Sequence, residues 1–375
     1  MRVRHAAPIV ASLVFVLAAR GADPAKVPAP ATAPPDASKA EGRFKNIQVL
    51  KGTPADEVVP AMQFISAALG VDCEFCHVEN APENDDKKEK QTARKMITMT
   101  QAINRENFDG HREVTCVSCH NGASHPRSIP AVDDGTRPPE TPAPAPVAAE
   151  RPPAGPVLDK YVQAVGGAEA MSQVAAHVQK GKLTGFGPDP VPVDVVAKTG
   201  DKRMTTVHGK RGDNITAFDG EHGWLGNSGR PPRDMSQAES DATRLDAALL
   251  FPSDPRRLFT EFKVGAPGKI DGKDAIKVIA RNEGKPPAEL WFDAESGLVV
   301  RLVRYAETPL GRNPTQIDYA DYRDAGGVKI PFRWTVARPS GRFTIQLDES
   351  RQDVPVPDTT FAKPAPPAAP PAPPS

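Results

Sequence analysis

Apolar side chains recur at helical spacing in the first third of the chain. They lie three or four positions apart, which places them on one face of an α-helix. The members of this stripe are Val58, Met62, Ile65 and Leu69. Residues 53–56 read Thr-Pro-Ala-Asp, with a hydroxyl in the N-cap position, proline first in the helix and an acid in the first turn. The pattern predicts a helix that begins at this segment and ends at Gly70.

A second helical stripe follows about thirty residues later. Its members are Ala93, Met96, Thr100 and Ile103. Asp86 precedes Glu89 by three positions, which is capping-box spacing with aspartate as the cap. The pattern predicts a helix that begins at Asp86 and carries the stripe on one face. The charged side chains are distributed over the remaining faces.

The hydrophobic period changes from helical to alternating after residue 157. A first amphipathic helix is predicted over 158–171 and a second over 236–250, and alternating apolar residues occur near 276–281 and 343–348. Turn signals recur between the alternating runs. They are Gly200, Gly220, Gly272, Gly297 and the pair Gly326-Gly327, each beside a polar or small residue. This pattern predicts an antiparallel sheet with one solvated face.

Proline content divides the chain into segments. The 42 prolines are concentrated in three stretches rich in Pro and Ala. We predict a signal peptide at 1–22, a disordered leader at 23–40, a helical domain at 41–125, a Pro-rich linker at 126–156, a β-rich domain at 157–361 and a disordered tail at 362–375.

The first residues have the features of an export signal. Arg2 and Arg4 precede an apolar run over 8–19, which is shorter than the roughly 20 residues of a membrane span. The formal net charge of zero gives no indication of binding to nucleic acid or to an anionic membrane surface. We therefore expect an exported protein.

All four cysteines lie in two pentapeptides of the form Cys-x-x-Cys-His, at 73–77 and 116–120. Two thiols one helical turn apart match the two vinyl groups of one porphyrin, and the adjacent imidazole can act as the proximal iron ligand. The spacing predicts two covalently bound haem c groups, with His77 and His120 as proximal ligands. The thioether cysteines are then Cys73, Cys76, Cys116 and Cys119. Haem c is attached outside the bacterial cytoplasm, so the motifs and the export signal together predict a periplasmic protein.

Paired cysteines have two other common uses. In a zinc ribbon the pairs are usually about 15–20 residues apart, and no histidine is required after each pair. Here residues 77–115 separate the pairs. Redox disulfides of the thioredoxin type belong to βαβ units, and neither motif is surrounded by such a pattern. Haem attachment is the favoured interpretation.

Each haem iron needs a sixth ligand, and a methionine thioether is a common choice in electron-transfer cytochromes. A methionine on an apolar helical face otherwise simply fills the core. Here a methionine-bearing helix precedes each pentapeptide, so the repeat predicts a methionine as the distal ligand of each haem.

Four short segments resemble the cytochrome subunit of photosynthetic reaction centres. They are residues 44–50, 62–65, 93–99 and 102–104. In that family the distal ligand is a methionine on the helix before the pentapeptide, which implies this role for Met62 and Met96, with Met99 as a second candidate. The resemblance covers about 41–125 and implies electron transport of the photosynthetic type. Family members usually carry four haems, whereas this chain has two motifs. His111 lies where a family histidine ligates a distant haem, and we expect a surface or propionate-bonding role for it here.

The predicted fold class is multidomain. An all-α dihaem cytochrome c domain is followed by a mainly antiparallel β domain, a half-open barrel or curved sheet with one or two helices. The order of helix, strands, helix and strands, with the segments 290–293 and 297–300, is similar to bacterial lipoprotein-localisation factors, the Lol carriers. This likeness implies an apolar concavity for a lipid, quinone-like or protein ligand. The alternative is a docking or scaffold domain with a filled core.

The β-rich domain shows no catalytic pattern, since His177, His208 and His222 are scattered without a serine elbow or metal-ligand spacing. We expect the whole protein to be a periplasmic dihaem c-type cytochrome, peripheral to the inner membrane. It transfers electrons between redox partner proteins or to a membrane complex, and we do not expect it to be an enzyme. Two alternatives are a dihaem peroxidase, in which one iron has an open sixth position, and an apolar-ligand carrier with an attached redox domain.

Overall fold

The structure is a computed structural model that describes residues 36–126, 152–251, 253–352 and 354–364. The predicted signal peptide (1–22) lies outside these residues, as do most residues of the predicted leader, linker and tail. We call residues 36–126 the motif region and residues 152–364 the sheet region.

The motif region contains helices joined by long loops. The helices are α1 (Ala40–Arg43), α2 (Val58–Leu69), α3 (Cys73–Cys76), α4 (Lys88–Asn107) and α5 (Cys116–His120), with a 3-10 turn at Ala55–Glu57. Among the described residues of this region, α2 and α4 are the long helices, and the other three contain four or five residues each.

The predicted first helix is present as α2, but its start is different. Thr53 does not cap it, because Pro54 is extended and the chain enters α2 through the 3-10 turn. The predicted end is confirmed: Gly70 has φ +66° and its N–H donates to the carbonyl of Ser66. A Cβ atom at Gly70 would collide with the carbonyl of Gly122, so glycine also permits α2 to approach the loop after the second pentapeptide.

The predicted cap of α4 was wrong. The N-cap is Lys87, without a side-chain cap, and the buried residues of the helix are Lys90, Ile97 and Asn104, none of which belongs to the apolar stripe. The cause is tertiary: Lys90 and Asn104 are covered by loops whose backbone carbonyls accept their hydrogen bonds.

The sheet region is built on one 14-stranded sheet in which every recorded strand pairing is antiparallel. The strands are β1 (Ala176–Thr184), β2 (Val191–Lys198), β3 (Lys202–Gly209), β4 (Gly212–Phe218), β5 (Gly223–Asn227), β6 (Arg230–Asp234), β7 (Glu261–Val264), β8 (Gly268–Ile270), β9 (Lys273–Arg281), β10 (Ala288–Asp293), β11 (Val299–Thr308), β12 (Gly311–Asp324), β13 (Lys329–Arg338) and β14 (Gly341–Gln352). The order is β6-β5-β4-β3-β2-β1-β14-β13-β12-β11-β10-β9-β7, with β8 paired to β9. Two meanders are thus joined by the pairing of β1 with β14, and the predicted antiparallel sheet is confirmed.

Three helices accompany the sheet: α6 (Gly155–Ala164), α7 (Gly167–Gln173) and α8 (Gln237–Leu250). The single helix predicted over 158–171 is divided into α6 and α7, because the chain turns at Gly166, which has φ +125° and packs against the carbonyl of Gly327. Helix α8 begins at Ser236, whose side chain accepts from the N–H of Glu239 at 3.2 Å while the Glu239 carboxylate accepts from the N–H of Ser236 at 2.9 Å.

The core of the sheet region lies between these helices and one face of the sheet. Leu158, Tyr161 and Val162 of α6 and Leu249 and Leu250 of α8 pack in one cluster with inward-facing strand residues. The Tyr161 ring meets the Phe292 ring edge-on, with centroids 5.7 Å apart. This face of the sheet is therefore the apolar one.

Candidate haem sites

The first pentapeptide forms the short helix α3 and its C-cap. Cys73 and Cys76 are one turn apart, with Cys73 exposed and Cys76 half-buried. The N–H of His77 donates to the carbonyl of Cys73 at 3.0 Å, which fixes the imidazole directly after the turn. The two thiols and the imidazole are thus held by one helical turn.

Four of the predicted site residues line one cleft. Met62 reaches it from α2, and Cys73, Cys76 and His77 reach it from α3. Most of the remaining lining is apolar, and it comes from the loop at 45–50, from α2, from α4 and from the loop residues Val71 and Pro82. The apolar members are Ile47, Val49, Leu50, Ile65, Val71, Pro82, Ala93 and Ile97. The first motif and its proposed distal methionine therefore share a cleft of the kind that suits a porphyrin.

Three polar residues of the lining converge on the carboxylate of Asp85. Arg94 Nη1 donates to Asp85 Oδ2 at 2.9 Å, Lys90 Nζ lies 3.0 Å from Asp85 Oδ1, and Asn46 Nδ2 donates to Asp85 Oδ1 at 3.0 Å. Hydrogen bonds from Arg94, Lys90 and Asn46 hold the pKa of Asp85 well below its usual range. The contacts tie α4 to the loops at 46 and 85. No local pattern predicted these contacts, because the charged residues of α4 lie off the apolar stripe and their partners are in loops.

Both motif histidines are oriented by a backbone carbonyl. His77 Nδ1 lies 2.9 Å from the carbonyl oxygen of Pro82, and His120 Nδ1 lies 2.9 Å from that of Ala123. A carbonyl oxygen can only accept, so each Nδ1 carries the proton and donates it. The other ring nitrogen, Nε2, then keeps its lone pair for a metal, an arrangement typical of histidine ligands.

The second pentapeptide forms α5. Thr115 and Ser118 form a capping box at its start, and Cys116 packs against the apolar cluster of the motif region. The preceding segment is held by α4: Asn104 Nδ2 donates to the carbonyl of Val114 at 2.7 Å, and the N–H of Val114 donates to Asn104 Oδ1 at 2.9 Å. The N–H of Gly122 donates to the carbonyl of Ala68 at 2.8 Å, which ties the end of the motif to α2.

The other predicted distal ligand, Met96, lies on α4 and is 38% exposed. It is not among the residues that line the first cleft. Met99 is also exposed, as is His111. The structure places Met96 on the helix that holds the segment before the second motif. The pairing of Met96 with that motif stays a prediction.

The sheet region contributes one residue to the core of the motif region. The tip of the β11–β12 hairpin, residues 308–311, carries Leu310, which is buried with Leu50, Phe64, Ile65 and other residues of the motif region. The buried members of this cluster are Leu50, Ala61, Phe64, Ile65, Ile97 and Leu310, with Met62 and Cys116 packed against them. The hairpin tip therefore belongs to the cluster against which Met62 of the first proposed haem site and Cys116 of the second both pack.

Polar contacts hold the hairpin tip in place. Asn313 Nδ2 donates to the carbonyl of Pro60 at 2.6 Å, and Arg112 donates to the carbonyl of Thr308 and pairs with the carboxylate of Glu307. A Cβ atom at Gly311 would collide with the Phe64 ring. No local sequence signal could predict these contacts, because the partners lie about 200 residues or more apart in the chain.

The structure also bears on the alternatives. A four-thiolate zinc site needs all four sulfur atoms at one point. Among the residues that the structure describes, no group of three or more Cys, His, Asp or Glu side chains is placed so that it could hold a metal ion. Within the described ranges no helix is both long and apolar enough to cross a membrane.

Comparison with known sequences locates the similarity in the same region. Residues 16–151 match the family described as photosynthetic reaction centre cytochrome C subunit. Cytochrome c-554 of Chloroflexus aurantiacus is 36% identical over 85 residues, which are 21% of this chain and 20% of that protein. The photosynthetic reaction center cytochrome c subunit of Roseobacter denitrificans is 39% identical over 99 residues, or 23% of this chain and 26% of that protein. The chain thus spans about a fifth to a quarter of the length of these curated relatives.

Comparison with solved structures finds similarity over a larger part of the chain at low sequence identity. A LolA superfamily protein from Nitrosomonas europaea is 13% identical with a TM-score of 0.39, over 56% of this chain and 97% of that one. A putative outer membrane lipoprotein-sorting protein domain from Vibrio parahaemolyticus is 10% identical with a TM-score of 0.38, over 56% and 98%. Over residues 16–151 of its 375, the chain is similar to the photosynthetic reaction centre cytochrome c subunit family, as the sequence motifs led us to expect.

Proposed function

We propose that this protein is a periplasmic dihaem c-type cytochrome that transfers electrons between redox partner proteins or to a membrane electron-transfer complex. In this proposal the motif region is an all-α haem domain, and Cys73, Cys76, Cys116 and Cys119 anchor the two groups. His77 and His120 are the proximal ligands, and Met62 and Met96 are the distal ligands. The carrying observation is the single cleft that contains Met62, Cys73, Cys76 and His77.

The residues of the first cleft fit haem c in chemistry as well as in position. Haem c, when bound, supplies an iron that changes oxidation state by one electron. The chain supplies two thiols for thioether bonds, an imidazole whose Nδ1–H is held by Pro82, and a thioether sulfur from the facing helix. The apolar part of the lining suits the hydrophobic faces of a porphyrin.

The second motif repeats the elements of the first. Its two cysteines are again one turn apart, and His120 donates from Nδ1 to a carbonyl just as His77 does. This repeat supports a second group of the same kind. Two methionine ligands would leave neither iron open to a substrate, which is why we favour electron transfer over a peroxidase reaction.

Methionine ligation can be measured for each site separately. Thioether sulfur on ferric haem gives a weak absorption band in the far red, and we expect the wild-type protein to show it at the intensity of two haems. Met62→Ala and Met96→Ala should each halve the band, and the double variant should abolish it. Met99→Ala tests the second candidate, and Met235→Ala in the sheet region is a control that should change nothing.

The same experiment can overturn the proposal. A wild-type band for one haem only, together with rapid cyanide binding at the other, would favour the peroxidase alternative. Loss of the second half of the band in Met99→Ala but not in Met96→Ala would reassign that ligand and keep the function.

A further inference from the structure

The hairpin turns of the sheet lie in two rows, one at each end of the strands. Because neighbouring strands run antiparallel, successive turns along a meander fall at alternate ends. The first row, which we call the upper end, comprises residues 185–190, 210–211, 228–229, 282–287, 309–310 and 339–340. The second row, the lower end, comprises residues 199–201, 219–222, 271–272, 294–298 and 325–328. The two ends can therefore be compared in their charges and in their exposed side chains.

The two ends differ in charge. The turns of the lower end contain carboxylates and no lysine or arginine; the acids are Asp201, Asp219, Glu221, Asp271 and Glu295. At the upper end Arg211 lies in a turn, Arg230 directly follows another, and Arg342 comes two positions after a third, and all three are exposed. None of the three forms an ion pair with a described residue, whereas Asp189 of the same end pairs with Lys210 at 2.9 Å. The formal net charge of zero thus conceals a positive upper end.

The upper end also presents an aromatic side chain to solvent. Phe186 is 68% exposed, and in the described part of the sheet region it is the only exposed large hydrophobic residue. Gly185 and Gly187 flank it with φ +110° and +124°, and a Cβ atom at Gly185 would collide with the carbonyl of Arg342. The Phe186 ring contacts the Phe343 ring, with centroids 5.1 Å apart. The backbone of this turn thus holds an aromatic ring in solvent, where it adds little to the core.

The three arginines and Phe186 belong to one continuous part of the sheet. It extends from β6 through β5, β4, β3, β2 and β1 to β14. Six strand steps of about 4.8 Å give a row about 29 Å long, with Arg230 at one end, Arg342 at the other and Phe186 beside Arg342. The positive charge is therefore spread along an edge and is not gathered in a pocket.

Other contacts begin where this row ends. Arg338, at the end of β13, interacts with Asp246 of α8, so its charge is partly offset. Beyond β13, the hairpin tip at 308–311 is buried against the motif region through Leu310. The turn at 282–287 lies farther still and carries an acid as well as a base. The motif region therefore adjoins the positive row at the same end of the sheet.

A flat anionic surface fits this row better than a small ligand does. The three unpaired guanidinium groups are matched together only by a partner that presents negative charge along the whole row. An exposed aromatic ring beside basic residues is typical of protein surfaces that lie on phospholipid, where the ring enters the headgroup layer and the cations meet the phosphates. A folded acidic protein would also need a pocket for the Phe186 ring, whereas a bilayer needs none. The observations thus favour a lipid surface.

We propose that the upper end of the sheet docks on the surface of an anionic phospholipid bilayer. Phe186 enters the headgroup layer, and Arg211, Arg230 and Arg342 bind lipid phosphates. Because the motif region adjoins this end, docking also holds it near the bilayer. The consequence that the proposed haem sites come close to a membrane electron-transfer complex rests on the proposed function, whereas the docking itself does not.

Sedimentation with vesicles tests the docking. The haem-loaded protein is mixed with vesicles of phosphatidylglycerol or of phosphatidylcholine, and the protein in the pellet is measured. We expect binding to the phosphatidylglycerol vesicles and little binding to the phosphatidylcholine vesicles. Binding should weaken as the salt concentration is raised from about 0.01 M to about 0.15 M, because the screening length falls from about 30 Å to about 8 Å. The far-red band of the same preparation reports on haem ligation, so a failure of the proposed function is seen separately.

Variants assign the binding to the upper end. Arg211→Gln/Arg342→Gln should weaken it about 25-fold, since each basic residue near an anionic surface contributes about fivefold. Lys273→Gln/Lys329→Gln removes the same charge from exposed positions at the lower end and should bind as the wild type does. Phe186→Ser should weaken binding at least about fivefold and leave the unfolding temperature almost unchanged, because the side chain is mostly exposed.

Four results would overturn the proposal. Equal binding to both kinds of vesicle would remove the role of negative charge, and equal losses in the two double variants would remove the role of the upper end. Full binding by Phe186→Ser would exclude insertion of the ring. The fourth result is an absence of binding to phosphatidylglycerol vesicles; if polyglutamate then binds through the same arginines, the partner is an acidic protein instead.

Discussion

The motif region and the sheet region bury very different amounts of their own side chains. In the sheet region one large cluster gathers residues from α6, α8 and most strands. In the motif region the cluster has six buried members among the described residues, and one of them, Leu310, comes from the sheet region. Hydrophobic stabilisation scales with the apolar area removed from water, so the motif region has the weaker core. It depends on groups outside its own chain segment: the hairpin tip and, under the proposed function, two porphyrins.

The two regions also satisfy their polar groups differently. In the sheet region the strands satisfy one another by continuous antiparallel pairing. In the motif region, side chains bind the backbone of loops, as Lys90 does with the carbonyls of Pro82 and Asn84, and Asn104 does with Val114. A loop held by side chains is more sensitive to single substitutions than a strand held by many backbone hydrogen bonds.

The largest expected effect comes from removing both haem attachments. In the variant Cys73→Ala/Cys76→Ala/Cys116→Ala/Cys119→Ala, we expect the motif region to lose its protease resistance, since the polypeptide alone buries too little apolar surface. The sheet region should stay folded because its core contains none of these residues. Limited proteolysis with mass spectrometry measures both regions in one sample. A motif region that remains as resistant as the sheet region would refute the claimed difference.

A smaller effect is expected at the hairpin tip. Leu310→Ala should cost about 2–5 kcal/mol, as for other buried leucines, and the loss should fall on the motif region, which Leu310 packs against. We expect the haem absorption, including the far-red thioether band, to be lost at a lower denaturant concentration than in the wild type. Leu302→Ala is the matched control, because Leu302 lies on the same strand pair but in the core of the sheet region. It should shift the tryptophan fluorescence transition instead, and equal shifts of both signals in both variants would mean that the regions unfold as one unit.

The sequence predicted what local chemistry determines. Gly70 ends α2 and Ser236 with Glu239 begins α8, because helix caps depend on residues a few positions apart. The two pentapeptides and the helix that carries Met62 were also predicted from residues a few positions apart in the chain. The burial of Lys90 and Asn104 on α4 was not predicted, because loops cover them. The role of Leu310 was missed because its neighbours are distant in the chain. Long-range packing leaves no periodic signal in the sequence.

A smaller effect again is expected at Lys90, which lines the first cleft and donates to two loop carbonyls. Lys90→Met should cost about 1–3 kcal/mol, because the carbonyls of Pro82 and Asn84 lose a donor and Asp85 loses an ion-pair partner. Since Pro82 also orients His77, we expect the first haem site to be more perturbed than the second, as seen in the Met62-dependent part of the far-red band. Lys160→Met removes a similar contact to the carbonyl of Ala294 in the sheet region, where the side chain is exposed. Lys160→Met should change the free energy of unfolding little. A comparable loss of stability in both variants would mean that side-chain bonds to loop carbonyls matter no more in the motif region than in the sheet region.

The smallest effect is expected from the ion pair between the two regions. Burial alone would raise the pKa of Glu307, but hydrogen bonds from Arg112 and Arg312 lower it below its ordinary value near 4.5. A pKa that is lower in the folded state stabilises the protein above the unfolded value, and this contribution is lost as the pH falls through the folded value. For a pair that is about one-third exposed on each side, we expect Glu307→Gln to cost less than about 1 kcal/mol at pH 7. The difference from the wild type should shrink below pH 4.5, and denaturant unfolding followed by haem absorption measures it at each pH. A difference that grows on acidification would show that Glu307 acts through something other than its charge.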